Sequence, residues 1–515
     1  MSFQEDFMFW RLAHYFISKH EYRIIQLSKN HQELWLEKLE DKDTQVIRIL
    51  HHQLDWSNWM QRDIEMTAVN GESVRKQVNK REIHLLNIYV TPYPPVDDYH
   101  FRIEQPFLFP KGEKTKVTSM ICDRTNGRER IEAYMQETVF DDWKEEYTES
   151  EVEQEKLAAL SAAKKRIKSE KALFENGKPL FTYVFLALQV LIFLLMEAAG
   201  GSTVTANLIR FGAKVNILIL EGEWWRLFTP IFIHIGLLHL VMNSIALYFL
   251  GVFAERIFGN LRFVFIYLFA GVAGTLSSLL FSPNISAGAS GSIMGLFGAL
   301  LYFGTVYPKL FFRTMGLNIL IVLGVNLLFG FTFSGIDNAG HIGGLIGGFL
   351  ATAMVHFPKK KRLPIQIGSA ILSTVLIMAA VQYSSNHPEP LMNEQAAITV
   401  AQVHVENEEY DKAFTVLNRM ANDGQDSAEF LFLLSFTEIR LGNLEDAKGH
   451  LFTAIEKKPE FHDAYFNLAV IFYAQEDYTQ AKEYVEKAVA IEPGNARYQS
   501  LLKELTDSEL LGGGA

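Results

Sequence analysis

The sequence predicts a polytopic α-helical membrane domain set between two soluble domains, on three observations. Composition changes twice along the 515 residues: residues 1–170 are charged and ordinary, 180–383 are dominated by Leu, Ile, Phe, Val, Gly and Ala, and 390–508 are charged again. Within the middle part, seven stretches approach the roughly 20 apolar residues that a bilayer crossing needs. In the last part, a residue pattern returns every 34 positions. A chain of this length is expected to fold as two or three units.

The seven stretches lie near 180–196, 231–253, 262–282, 288–306, 315–333, 339–357 and 365–383. Their connections alternate in charge. Lys164, Lys165, Arg166, Lys168, Lys171 and Lys178 precede the first, Arg256 and Arg262 part the second from the third, Lys309 and Arg313 the fourth from the fifth, and "KKKR" at 359–362 the last two. The opposite set is nearly free of Lys and Arg, except for Arg210, Lys214 and Arg226 in the long first loop. The positive-inside rule then makes the N-terminal domain cytoplasmic, and seven crossings put the C-terminal domain outside the cell membrane.

The formal net charge of -11 comes from the flanking regions and argues against nucleic acid as a partner. Cys122 stands alone, so neither an intrachain disulfide nor a Cys-based zinc site is available. The opening "MSFQEDFMFWRLAHYF" lacks a basic n-region ahead of a clean apolar core, so no cleaved signal peptide is expected.

Residues 1–150 alternate as "YRIIQL", "TQVIRIL" and "IHLLNIYV" around a charged helical stretch near 56–80, which predicts a small cytoplasmic α+β domain. Residues 151–178 read as a charged linker to the membrane domain, 179–385. Two surface groups in the first domain could offer metal ligands: His51, His52 and Asp55 in "HHQLD", and Asp97, Asp98 and His100 in "DDYH". Small surface clusters of this kind are common, so neither is assigned a metal, and no cofactor is expected.

In 390–508 the 34-residue period aligns Tyr410, Leu444 and Tyr478, then Ala413, Ala447 and Ala481, then Leu417, Leu451 and Val485, followed by Ala454 and Ala488 and by Pro459 and Pro493. Unrelated amphipathic helices would not keep register at five positions. The spacing resembles tetratricopeptide repeats and implies a short α-solenoid that binds a peptide or a partner protein.

Inside the membrane domain, His234, His239, Asn243, Ser290, Asn326 and His341 are polar groups that hydrocarbon excludes, and their grouping points to function. His239 and Asn243 in "HLVMN" are four apart and share a helix face. His234 lies five before His239, about 140° away on an ideal helix, and no H-E-x-x-H is present, which argues against a zinc site. Ser290 sits in "GASG" between Gly288 and Gly291, where a tight loop can place its N–H among the free donors of a helix start. An anion forming there would be stabilised as in an oxyanion hole.

A serine needs a base, and His341 in "NAGHIGGLIGG" is the candidate. It lies near the start of the sixth stretch, on the same side of the membrane as the start of the fourth, because both run from outside to inside, and matching depth is a necessary condition for a pair. Gly340, Gly344 and Gly348 recur every four residues opposite Gly288, Gly291, Gly295 and Gly298, so the two backbones can approach closely. Asp337 and Asn338 are expected to cap the helix of His341 and not to complete a triad.

With "GASG", "AGHIGG", "HLVMN", "EWWRLFTPIFIH" and "AERIFGN" in order, residues 178–385 resemble the rhomboid intramembrane serine proteases. That resemblance implies a six-helix core, here with an added seventh span, and hydrolysis of peptide bonds in or near transmembrane segments of membrane protein substrates within the lipid bilayer. By position it makes Ser290 the nucleophile and His341 the general base and later acid. His239, Asn243 and the Ser290 backbone N–H would hold the oxyanion. Gly288, Gly291, Met294, His234, Gly344, Gly348, Trp225 and Arg226 would shape the site. Met294 stands where many relatives carry an aromatic one turn after the serine, and thioether contacts with aromatic rings offer a substitute. The alternative is a non-catalytic membrane adaptor that presents membrane proteins to other proteolytic or quality-control machinery.

Overall fold

The computed structural model describes residues 3–512 apart from 79, 111, 113, 142, 334, 388–390 and 423. It divides into two units, residues 1–173 and 174–515. The expected start of the repeat domain at residue 390 falls outside the described residues.

The first unit is a six-stranded mixed sheet: β1 (Arg23–Leu27), β2 (Glu33–Glu37), β3 (Val46–His51), β4 (Ile83–Val90), β5 (Phe107–Leu108) and β6 (Thr115–Cys122), in the order β1-β2-β3-β4-β6-β5. β3, β4 and β6 run parallel, and the remaining pairs are antiparallel. Side chains alternate across the sheet, as the two-residue period of a strand requires. Ile47, Ile49, Leu86 and Ile88 pack with the helix Phe3–Ser18, whereas Val46, Leu85 and Tyr89 pack with the helix Ser57–Gln77.

The charged stretch 151–178 is not a free linker. Thr148 and Glu151 form a capping box that starts the helix Glu149–Ala172. Val152, Ala159 and Ala163 of that helix are buried in the same core as Met8, Leu12 and Phe16, so the first unit runs to Leu173. The small residues at 159 and 163 are what allow a mostly polar helix to pack along one narrow face.

The second unit opens with the membrane helices Phe181–Ala198, Gly236–Phe258, Asn260–Phe281, Ser290–Val306, Leu317–Thr332, Asn338–Val355 and Leu363–Asn386. Among the described residues, five helical segments are long and apolar enough to cross a membrane, with Pro308–Thr332 running as one segment of 25 residues; Ser290–Val306 is shorter at 17 residues, and Asn338–Val355 is not one of the five. These two helices pack against each other and against Asn260–Phe281, in the interior of the bundle. The second span starts at Gly236 and not near 231, because Thr229–Phe232, with Pro230, forms a 3₁₀ turn ahead of it.

The "AERIFGN" stretch ties the first span to the second. Glu255 is fully buried, and its carboxylate accepts the N–H groups of Leu180, Phe181 and Thr182 at 3.0, 2.9 and 2.9 Å and the Thr182 hydroxyl at 2.8 Å. A carboxylate at a helix N-terminus satisfies donors that have no intrahelical partner and is favoured by the helix dipole. Gly259, at φ +80°, turns the chain so that Asn260 donates to Glu255 (2.7 Å) and to the Lys178 carbonyl (2.8 Å).

Three helix pairs, beginning with Glu394–Glu406, and the helix Ala496–Gly512 form the C-terminal solenoid. The second helices of the pairs start at Tyr410, Leu444 and Tyr478, 34 residues apart, and the aligned Ala413, Ala447, Ala481, Leu417, Leu451, Val485, Ala454 and Ala488 are fully buried. The solenoid is seated on the first membrane loop. Ala397, Val400 and Ala401 share a buried cluster with Ile209, Val215, Ile217 and Leu218, and Asn216 Nδ2 donates to the Leu391 carbonyl at 2.5 Å.

Glu255→Gln would turn an amide N–H₂ toward N–H donors in a buried site. We expect a loss of about 2 kcal/mol, read as a lower thermal unfolding midpoint of the purified protein in detergent.

Candidate active site

Ser290 is the first residue of its helix, and Ala289 precedes it as the cap. Its N–H therefore belongs to the first turn, where donors lack intrahelical acceptors. Gly288 bends the loop at φ +143°, and a Cβ built on it would lie 2.7 Å from Cε1 and 2.9 Å from Nε2 of His239. The His239 ring thus rests against the backbone two residues before Ser290. No side chain larger than hydrogen fits there.

His234 is not on the helix of His239, since that helix starts at Gly236. The ideal-helix angle between the two therefore does not apply. A turn at Gly236, φ +77°, folds the rings together with centroids 5.4 Å apart. His234 is fully buried, and its Nε2 faces the Ala289 N–H at 3.5 Å. Asn243 is buried one turn after His239 and donates one amide hydrogen to the His239 carbonyl at 3.0 Å, which leaves its second amide hydrogen for another acceptor.

His341 lies in the first turn of Asn338–Val355. Asp337 caps that helix: its Oδ1 accepts the Gly340 N–H at 2.9 Å, and its Oδ2 accepts the Ser286 hydroxyl at 2.7 Å. The Asp337 carboxylate is occupied by these two donors, and His341 Nδ1 has no hydrogen-bond partner among the described residues. The pairing of Ser286 with Asp337 escaped the sequence reading, although each stands four residues before one of the two candidate residues.

The serine and histidine helices touch backbone to backbone. A Cβ on Gly344 would lie 2.0 Å from the Gly291 carbonyl oxygen, one on Gly348 2.0 Å from that of Gly295, and one on Gly298 2.1 Å from that of Leu345. Gly274 gives the third helix of the core the same close fit, since a Cβ on it would lie 2.7 Å from the Gly340 carbonyl oxygen, whereas one on Gly271 would meet the side chains of Ile231 and Ser292 at 2.4 Å. Met294 is buried within this packing. Ser290, Ser286, Asp337, Gly288 and Gly340 line a cavity of ≈ 20 Å³, the size of one water molecule.

Trp225 and Arg226 order the first loop from a distance. The buried Arg226 guanidinium donates to the carbonyls of Ile209 and Ala213 at 2.8 and 3.0 Å, pairs with Glu223 at 2.5 Å and lies over the Trp225 ring at 4.4 Å. Lys214 is also buried, with Nζ on the carbonyls of Ser282 and Asn284 at 2.6 and 2.9 Å. Burial pulls its pKa down to about 7, against which the Asp337 charge acts. Two of the three cations that break the charge alternation are therefore internal ties of the loop and not surface charge.

The metal candidates of the first unit do not converge. His51 Nδ1 meets Asp6 at 3.1 Å, and the His52 ring stacks on Trp59. Asp55 accepts from Gln53, both oxygens of Asp97 are taken by Ser57, and Asp98 accepts the His100 N–H. Among the described residues no three His, Cys, Asp or Glu are grouped to hold a metal.

Gly288→Ala should destabilise the protein by about 1–3 kcal/mol through the clash with His239 and the positive φ. Gly324→Ala, on a helix position with open space around it, should be neutral or slightly stabilising; thermal unfolding of both variants checks the contrast.

The rhomboid domain model matches residues 221–357, and a tetratricopeptide repeat model matches residues 438–505. The chain is 39% identical over 471 residues to Rhomboid protease GluP of Bacillus subtilis (strain 168), covering 91% of this chain and 92% of that protein. It is 33% identical over 186 residues to the Putative rhomboid protease YdcA of the same organism, covering 36% of this chain and 92% of the relative. Against Rhomboid protease AarA of Providencia stuartii the identity is 29% over 244 residues, covering 42% and 86%. With likeness along nearly the whole of one relative, and a multi-helix membrane domain whose interior helices carry the serine and the histidine, this chain belongs to the rhomboid family.

Proposed function

We propose that the chain is an intramembrane serine protease acting on transmembrane protein substrates, with Ser290 as nucleophile and His341 as its base. Two relatives matched over 92% and 86% of their own length are named as rhomboid proteases. The observation that carries the assignment is the backbone contact of the two helices at Gly291 and Gly344, which start at the same end with Ser290 and His341 in their first turns. His341 takes the Ser290 proton as Oγ attacks the scissile carbonyl, and it later returns that proton to the leaving amine. The developing oxyanion is received by the Ser290 N–H with His239 and Asn243 as side-chain donors. Water then hydrolyses the acyl-enzyme.

The seating of the solenoid on the first loop supports an extracytoplasmic repeat domain. Six further helices separate that loop from the repeats, and an even number of crossings returns the chain to the same side. The solenoid would then offer a peptide-binding surface on the face of the membrane from which the Ser290 helix starts.

Reconstitution with a model transmembrane substrate tests the chemistry. Ser290→Ala and His341→Ala should each lower cleavage by about 10³-fold or more; cleavage that survives Ser290→Ala overturns the assignment. Topology is tested by cysteine labelling, since Cys122 is buried. Lys503→Cys should react with a membrane-impermeant maleimide in intact cells and Lys29→Cys only after permeabilisation. The reverse pattern would overturn the proposed sides.

A further inference from the structure

We propose that Ser286 and Asp337 are positioning residues that set the register between the nucleophile's helix and the base's helix; this rests on the assignment of Ser290 and His341 above. The interface between these helices is made of glycine against backbone carbonyl. Such a surface allows close approach, but it offers no directional restraint against sliding or rotation. Polar ties stand at its two ends. At the far end the Tyr302 hydroxyl meets His356 Nδ1 at 2.8 Å. At the near end Ser286 Oγ donates to Asp337 Oδ2 at 2.7 Å.

The near tie is placed to act on the chemistry. Ser286 stands four residues before Ser290, and Asp337 four before His341, so one hydrogen bond links the lead-in of the nucleophile to the cap of the base's helix. Both anchors are held from behind. The Ser286 backbone exchanges hydrogen bonds with Lys214, N to O at 3.1 Å and O to N at 2.8 Å. Lys214 Nζ fixes the carbonyls at 282 and 284 of the same loop. Asp337 is bound to its helix through Gly340 N–H on Oδ1, while its own carbonyl accepts the His341 N–H at 3.0 Å. A displacement of the serine loop is therefore passed to the histidine helix instead of being absorbed by a loose side chain.

The test compares Ser286→Ala with Tyr302→Phe, which removes the far tie. We expect Ser286→Ala to lower kcat on a model transmembrane substrate about tenfold, with KM unchanged, since a small misplacement of reacting groups costs rate more than binding. Tyr302→Phe should keep kcat within about twofold. Ser286→Thr, which retains a hydroxyl, and Asp337→Asn, which retains the cap and can bond Ser286 with the donor reversed, should both restore the rate. Ser286→Ala combined with Asp337→Ala should be no slower than Asp337→Ala alone. The proposal is overturned if Ser286→Ala keeps full kcat, if Tyr302→Phe lowers kcat equally, or if the two losses multiply. Ser290→Ala runs alongside: residual cleavage there would bring down the assignment of the nucleophile, whereas its loss with an unaffected Ser286→Ala would bring down the positioning role alone.

Discussion

Contact between two helix backbones with no side chain between them is the constraint on which the membrane domain depends. Gly295 and Gly298 on one helix and Gly344 and Gly348 on the other leave no room for a single methyl group, and Gly291 presents its carbonyl to Gly344. In hydrocarbon, where lipid tails are as apolar as leucine, helices gain from packing contacts and not from escaping water. Glycine maximises those contacts at the cost of helix propensity. It also brings the first turns of the two helices together, and those turns carry Ser290 and His341. The third helix of the core meets the same standard at Gly274, so the interior is a glycine-lined trio, and less buried helices surround it.

A fit of this kind fixes distance but not direction, and polar groups at the ends supply the direction. Asp337 caps the histidine helix and holds Ser286; His356 and Tyr302 meet at the opposite end. The first loop has the same logic. Arg226 and Lys214 would be costly as buried cations in an apolar surrounding. Each is placed on backbone carbonyls, and each closes a stretch of irregular chain that could not otherwise satisfy its polar groups. That ordered loop in turn offers Ile217, Leu218 and Asn216 to the repeat solenoid.

Much of the layout was legible in the sequence because it follows from periodicity. The 34-residue recurrence marked the helix starts at Tyr410, Leu444 and Tyr478, and the apolar stretches marked the membrane helices, with the second displaced to Gly236 by the turn around Pro230. The first unit was less legible. β2 and β5 went unread because strands of five and two residues carry a weak alternation, and β6 because Thr115 and Ser119 put polar residues at its inward positions, while the stretch read as a linker proved to be a helix of the core because Ala159 and Ala163 are small enough to pack.

By itself the sequence determined which residues could do chemistry and which helices could come close, since residue type, helical spacing and glycine recurrence are local properties of the chain. The tertiary structure decided which polar groups meet. His234 lies beside His239 only because the chain turns at Gly236 ahead of the helix. Ser286 reaches Asp337 across 51 residues, and Lys214 reaches the loop before Ser290 across 68. Such pairings depend on how separate helices stack, and no local period in the chain encodes that.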